Sequence, residues 1–275
     1  MNVDLHSHST ASDGLLKPQD LVARAAANGV EILALTDHDG VSGLSEARAK
    51  AESEGVRFVD GVEISVTWGG STVHIVGLQI DPQDPVLRSG LESIREGRVR
   101  RAEKIGEALA AAGVPDSLAG AKTYAENPNL ISRSHFARHL AKTGWARDVK
   151  SVFQHYLVKG KPGFVQHRWA SLGDAVSWIR ASGGIAVVAH PGRYNFPRPE
   201  LHAFLAQFRD CGGAGIEVVT GSHSPEQYVE YARIAREFGF SASRGSDYHG
   251  KGESKADLGA LPQLPDDLKP VWHDW

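Results

Sequence analysis

V-E-I-L-A-L-T-D-H-D, residues 30–39, decides how the chain is read. Val30 to Thr36 is an aliphatic run of strand length, apolar enough to be buried on both faces. Strands of that kind belong to parallel sheets covered by helices. Asp37, His38 and Asp39 follow the run at once. Titratable residues just past the C-terminal end of a buried parallel strand lie where α/β barrels carry their active sites.

The same grammar extends on both sides. Upstream, Val3 to His6 reads as a short strand, and Lys17 to Asn28 as a helix with Pro18 near its start and Gly29 past its end. Downstream come a helix over Leu44 to Glu54, then strands over Val56 to Ser65 and Thr72 to Gln79. Near Pro82 the pattern changes. Leu87 to Ala112 reads as one long charged helix, with shorter helices over Ala119 to Tyr124, Ser134 to Lys142 and Asp148 to Tyr156. Alternation then resumes: helix Ser171 to Ser182, strand Ile185 to Ala189, helix Pro199 to Cys211, strand Gly215 to Val219, helix Pro225 to Phe238, and a last strand from Ser241. Repeated strand–helix units predict an α/β fold with a parallel sheet. About seven strands suit a barrel better than an open sheet, and no Gly-rich dinucleotide fingerprint follows the first strand. The expected organisation is a barrel over 1–87 and 167–275, interrupted by a helical insertion over 88–166.

Composition narrows the function. The 275 residues are 41% hydrophobic and 23% charged, as in an ordinary globular protein. The one cysteine, Cys211, allows no internal disulfide, which fits a reducing cytoplasm. The N-terminus has no signal-peptide pattern, and no run is long enough for a membrane span. A net charge of −3 argues against a partner as long and acidic as duplex nucleic acid. It favours a small anionic substrate whose countercharge comes from a local site.

That site is suggested by where the histidines fall. His6 and His8 follow the first strand, with Asp13 five residues on; Glu63 sits in the third strand, and His74 opens the fourth. His190 follows the fifth strand, and Asp247 and His249 follow the last. Any one of these is more often a hydrogen-bonded structural residue than a ligand. Together, at the ends of separate strands, they deliver imidazoles and carboxylates to one face. Unscreened, the carboxylates would repel one another; bound cations remove that cost. In His6-x-His8, alternate residues of an extended segment point the same way, so both rings can reach one ion. Mixed imidazole and carboxylate ligands suit manganese, zinc or iron.

The motifs L-H-S-H, T-D-H-D, G-V-E-I-S, V-A-H-P and S-D-Y-H resemble those of the PHP family, named for polymerase and histidinol phosphatase. The resemblance covers about 1–85 and 168–260. It implies a distorted seven-stranded β/α barrel holding two to three divalent ions, manganese first, with zinc or iron as alternatives. It assigns His6, His8, Glu63 and Asp247 to one ion; Glu63, His74 and His190 to a second; and Asp13, His38 and His249 to a third. His6, His8, Glu63 and Asp247 are thus the expected catalytic core, with Asp37 orienting a ligand histidine. The helical insertion resembles the branch acting on 3',5'-nucleoside bisphosphates, which implies hydrolysis of the 3'-phosphate to give a 5'-nucleotide. Alternatives are a 5'-3' exonuclease on short oligoribonucleotides, a histidinol-phosphate phosphatase, and a non-catalytic metal-binding module.

Substrate contacts are expected from the insertion. Arg101 and Lys104 are three apart on the long helix and share a face. In I-S-R-S-H, residues 131–135, Ser132 reads as a helix N-cap, and Arg133, Ser134 and His135 sit where a helix start favours phosphate. His135 is also a candidate for protonating the leaving oxygen. Arg193, just after His190, and Asp13 complete the candidates at the mouth. Glu217 reads as a strand residue low in the barrel. The C-terminal tail reads as surface-packed or frayed.

Overall fold

A computed structural model describes all 275 residues. Seven strands lie side by side in chain order: β1 (Val3–Asp4), β2 (Ile32–Leu35), β3 (Arg57–Trp68), β4 (Ser71–Leu78), β5 (Ile185–Val188), β6 (Gly215–Thr220) and β7 (Ser241–Gly245). The last meets the first. The Leu5 N–H donates to the Arg244 carbonyl at 3.0 Å and the Asp247 N–H to the His6 carbonyl at 2.8 Å. The sheet is thereby all but closed into an α/β barrel. Helices α1 (Pro18–Ala27), α2 (Leu44–Glu54), α7 (Leu172–Ala181), α8 (Arg198–Asp210) and α9 (Pro225–Phe238) clothe it.

One strand corrects the expectation of a parallel sheet. β4 runs antiparallel to both β3 and β5. Gly69 and Gly70, with φ of 55° and 76°, form a two-residue turn that only a hairpin can use. A parallel return would need a crossover of about a dozen residues. The reversal puts His74, near the start of β4, opposite Ser65 of β3. It therefore reaches the same end of the barrel as residues at the finish of the other strands.

Between β4 and β5 lie α3 (Pro85–Ala111), α4 (Ser117–Lys122), α5 (Arg133–Lys142) and α6 (Val149–Val152), the last continued by a π-turn over Phe153–Leu157. This insert has its own core of 11 buried residues, Phe136, Leu140 and Leu157 among them. The long helix serves both parts. Leu87, Leu91 and Ile94 join the main cluster of 41 residues around the barrel, whereas Ala102, Ile105 and Leu109 belong to the insert.

The tail is not frayed. Val271 enters the apolar cluster inside the strands, with Val3, Leu5 and Leu78, and Trp272 and Trp275 pack against that cluster. No helix is long and apolar enough to cross a membrane.

Candidate metal centre

The strand ends converge as the histidine pattern implies. His6 and His8 leave β1 with both rings buried, their Nε2 atoms 3.1 Å apart. Each Nε2 faces the same two carboxylates: Glu63 Oε2 at 3.4 and 3.3 Å, and Asp247 Oδ1 at 3.5 and 3.3 Å. Donor atoms spaced in this way match the ~3.4 Å edge of a tetrahedron built on bonds of ~2.1 Å.

Three clusters have donor atoms within 4.8 Å of one another: His6, His8, Glu63 and Asp247; His38, Glu63 and His74; and His8, Asp13, His38 and His249. Their sharing is wider than the resemblance implied. His8 belongs to two clusters, and so does His38, whose Nδ1 lies 2.9 Å from Glu63 Oε2. His190 falls outside all three, yet its Nε2 lies 2.8 Å from Glu63 Oε1, the distance His74 Nδ1 also keeps.

A test of fit is whether the protein completes its own polar groups. Here it does not. His8 Nδ1, Asp13 Oδ1, His38 Nδ1, Glu63 Oε2, His190 Nδ1 and Asp247 Oδ1 are buried without a hydrogen-bond partner, the close approach of His38 Nδ1 to Glu63 Oε2 lacking hydrogen-bond geometry. Such orphans are rare because each costs about 1–3 kcal/mol. Burial, reinforced by the neighbouring His249, pushes His8 down to about 3. Burial and Arg193 do the same to His190. Both rings are thus neutral and able to donate lone pairs. Against the effect of burial, surrounding histidines hold Glu63 well below the usual carboxylate range. Against burial, the carboxylates pull His6, His38 and His249 up, the last to about 9; imidazoles that release those protons while facing ionised carboxylates are a donor set that divalent cations fit. The backbone is also strained here, with φ of 48° at Asp39, 27° at His190 and 54° at Asp247. Strain of this kind gathers where side chains must be aimed.

Glu217 corrects the reading from sequence. It lies in β6 but reaches the centre: His6 Nδ1–H donates to its Oε1 at 2.7 Å, and the His190 N–H donates to its Oε2 at 2.5 Å. It thereby fixes the tautomer of His6 and turns Nε2 toward the cluster. The signal was an acid inside an otherwise apolar run, G-I-E-V-V, since a buried charge requires a partner. Asp37 is corrected too. It orients no ligand histidine; its carboxylate accepts from Ser9 N, Ser9 Oγ and Ser12 Oγ at 2.5–2.8 Å, pinning the loop that presents Asp13.

The insert is joined to the centre through Asp13. Ser132 Oγ donates to Asp13 Oδ2 at 2.9 Å and accepts from the Ser134 N–H at 3.0 Å, capping α5. His135 belongs to the same cap. Its Nδ1 accepts from the Ser132 N–H at 3.1 Å, and burial pushes the ring down to about 4. A neutral ring with Nδ1 engaged by the backbone braces the helix start and carries its one proton on Nε2.

Arg133 and Arg101 lie close to the same opening with no carboxylate partner. Burial pushes Arg101 down to about 9, and Arg133 and Arg98 add repulsion. Burial, then Arg98 and Arg193, push Arg133 down as well. Arg193 is half exposed, with Nη1 2.6 Å from Asp247 Oδ2. Lys104 stands apart. It is exposed, whereas Arg101 is buried against the Trp169 ring. Positions three apart on a helix differ by ~60° about the axis, enough to put one against the Trp169 ring and the other in solvent.

Against known proteins, the profile of the PHP domain matches residues 4–160, more than half of the chain. The chain belongs to the PHP family. Among PHP relatives, a 3',5'-nucleoside bisphosphate phosphatase of Chromobacterium violaceum is 50% identical over 273 residues, covering 99% of this chain and 96% of that protein. A 5'-3' exoribonuclease of Haemophilus influenzae is 41% identical over 269 residues, 98% of this chain and 97% of that one. In three dimensions, a Chromobacterium violaceum structure described as an amidohydrolase with bound sulfate superposes with a TM-score of 0.97 at 50% identity, covering 100% of this chain and 95% of the other. A Bifidobacterium adolescentis structure assigned as a metal-dependent phosphoesterase gives 0.83 at 26% identity, covering 98% and 93%.

Proposed function

We propose that the protein is a metal-dependent phosphoesterase that removes the 3'-phosphate of 3',5'-nucleoside bisphosphates, leaving a 5'-nucleotide and inorganic phosphate. One observation carries the reading: imidazoles and carboxylates from separate strands meet within 4.8 Å, and five of their atoms, with a sixth on the adjoining His190, are buried without partners. The name of the Chromobacterium relative supports the choice of substrate.

His6, His8, Glu63, Asp247, His38, His74, His190, Asp13 and His249 would hold the ions. Two or three divalent ions, manganese first and zinc or iron as alternatives, would supply positive charge to phosphate oxygens and an activated water near neutral pH. Glu217 keeps His6 in the tautomer that offers Nε2. Arg133 and Arg101 have no carboxylate to neutralise them and suit the second phosphate through their planar forks. Ser134, with its backbone N–H at the start of α5, adds a donor near that phosphate. Arg193 is tied to Asp247 and contributes a cation at the rim. Asp13 couples the insert to the ions through Ser132.

The test is a phosphate-release screen with manganese present. Its substrates are adenosine 3',5'-bisphosphate, nucleoside monophosphates, short oligoribonucleotides and histidinol phosphate. Fastest release from the bisphosphate is expected; no release from any phosphoester sinks the reading. A second reading, exonuclease action on short oligoribonucleotides, has the Haemophilus relative in its favour. It breaks the same bond between phosphorus and a 3'-oxygen and differs only in what else phosphorus carries, a free oxygen in the bisphosphate and the next nucleotide in the oligomer.

A further inference from the structure

Trp169 forms a wall between two spaces. Its ring carries the guanidinium groups of Arg98 and Arg101, 5.0 and 5.3 Å from the centroid, and Arg98 bonds Asp39 and Ser65 at the mouth. Its backbone N–H donates to Thr67 Oγ1 at 2.8 Å and its indole N–H to Thr72 Oγ1 at 3.3 Å. Thr72 stands two residues before His74 on β4, ~7 Å along a strand. The wall is therefore close to the metal centre.

The second space is a cavity of about 300 Å³ between α3 and the segment entering α7. His167, Trp169 and Trp178 give it aromatic surfaces, and Arg100, Arg168 and Asp174 give it charge. The helix is shaped to admit the rings. A methyl group at Gly97 would lie 2.8 Å from His167 Nε2, and one at Gly90 would lie 2.3 Å from the Trp178 ring. These glycines are seven residues apart, on one face of α3. Each weakens a helix interior by ~1 kcal/mol relative to alanine. His167 packs edge-on to Trp169, with centroids 4.3 Å apart. The cations are available: Arg100 has only a loose contact with Glu96 at 3.8 Å, and Arg168 is exposed and has no ion pair.

We propose that this cavity is a second nucleotide subsite, which takes the nucleotide joined to the one at the metal centre when the substrate is a short oligoribonucleotide. The proposal rests on the phosphoesterase reading above and deepens it by placing the part of the substrate beyond the reacting phosphate. Aromatic faces stack any base, which gives affinity without sequence preference. Arg100 and Arg168 suit the phosphate that follows. Asp174, whose carboxylate accepts from Ser171 Oγ at 2.6 Å, offers an acceptor to a ribose hydroxyl and disfavours phosphate on its own side.

The test is the double variant Arg100→Glu with Arg168→Glu, two surface changes that leave the cores untouched. Adenosine 3',5'-bisphosphate and a 5'-phosphorylated tetra-adenylate are compared as substrates, and calorimetry measures binding of the tetra-adenylate. Weakening of the tetra-adenylate by ~10-fold, in KM and in Kd, is expected from the loss of two phosphate contacts. KM for the bisphosphate should stay within about twofold. Equal effects on both substrates, or an effect on neither, overturn the proposal. Wild type that turns over the bisphosphate but does not bind the tetra-adenylate overturns it while the phosphatase reading stands. Wild type that hydrolyses neither, yet binds the tetra-adenylate more tightly than the double variant does, supports the subsite and sinks the phosphatase reading.

Discussion

Of the buried polar atoms without partners, six lie at the barrel mouth, on His8, Asp13, His38, Glu63, His190 and Asp247, while the insert between β4 and β5 contributes only Ser117 Oγ. The insert closes on itself, with an apolar core and capped helices such as α5. The mouth is left open by design of its residues: its charges are completed only by something the chain does not supply. Where the insert faces the mouth it presents Arg101 and Arg133, cations without carboxylates. The contrast divides the labour. The mouth should govern the rate of the chemical step, and the insert the affinity for substrate.

The division can be broken most forcefully at Glu63, whose carboxylate lies in two of the three clusters. Glu63→Gln should lower kcat by ~1000-fold or more and reduce bound metal on elemental analysis. Near-normal turnover with full metal content would remove the shared-ligand arrangement. A smaller loss is expected one shell out. Glu217→Gln keeps the shape but weakens its hold on His6, and should cost ~10–100-fold in metal affinity or activity. A metal titration that superposes on wild type would reduce Glu217 to a packing residue. The smallest effect should come from the insert. Arg133→Ala should raise KM for the bisphosphate ~10-fold with kcat unchanged. A fall in kcat at constant KM would place this arginine with the chemistry and erase the division.

Much of this was readable before any coordinates. Val30 to Thr36, followed by Asp37, His38 and Asp39, gave strand, polarity and the position of the site because a doubly buried strand must be continuously apolar. Lys17 to Asn28 announced its helix through Pro18 and Gly29. Other features resisted, three of them instructively. The reversal of β4 hinged on Gly69-Gly70, a two-residue turn signal lost inside the expectation of parallel strands. Glu217 looked like one acid in an apolar run, because sequence does not say which partner a buried charge has found. His135 looked like a free imidazole beside a phosphate site; its bond to the Ser132 N–H depends on cap geometry, which sequence spacing only suggests.

The direction of β4 has one more effect. Because that strand descends, α3 starts at the floor of the barrel at Pro85 and must climb its outside for ~20–24 Å before Arg98 and Arg101 arrive at the rim. A rod of this kind has a phase as well as a length. Removing a single residue below Arg98 would rotate both guanidinium groups by ~100° about the axis and drop them by ~1.5 Å. Viable changes in its length should therefore come as whole turns, while the loops beyond Ala111 are free to grow or shrink one residue at a time.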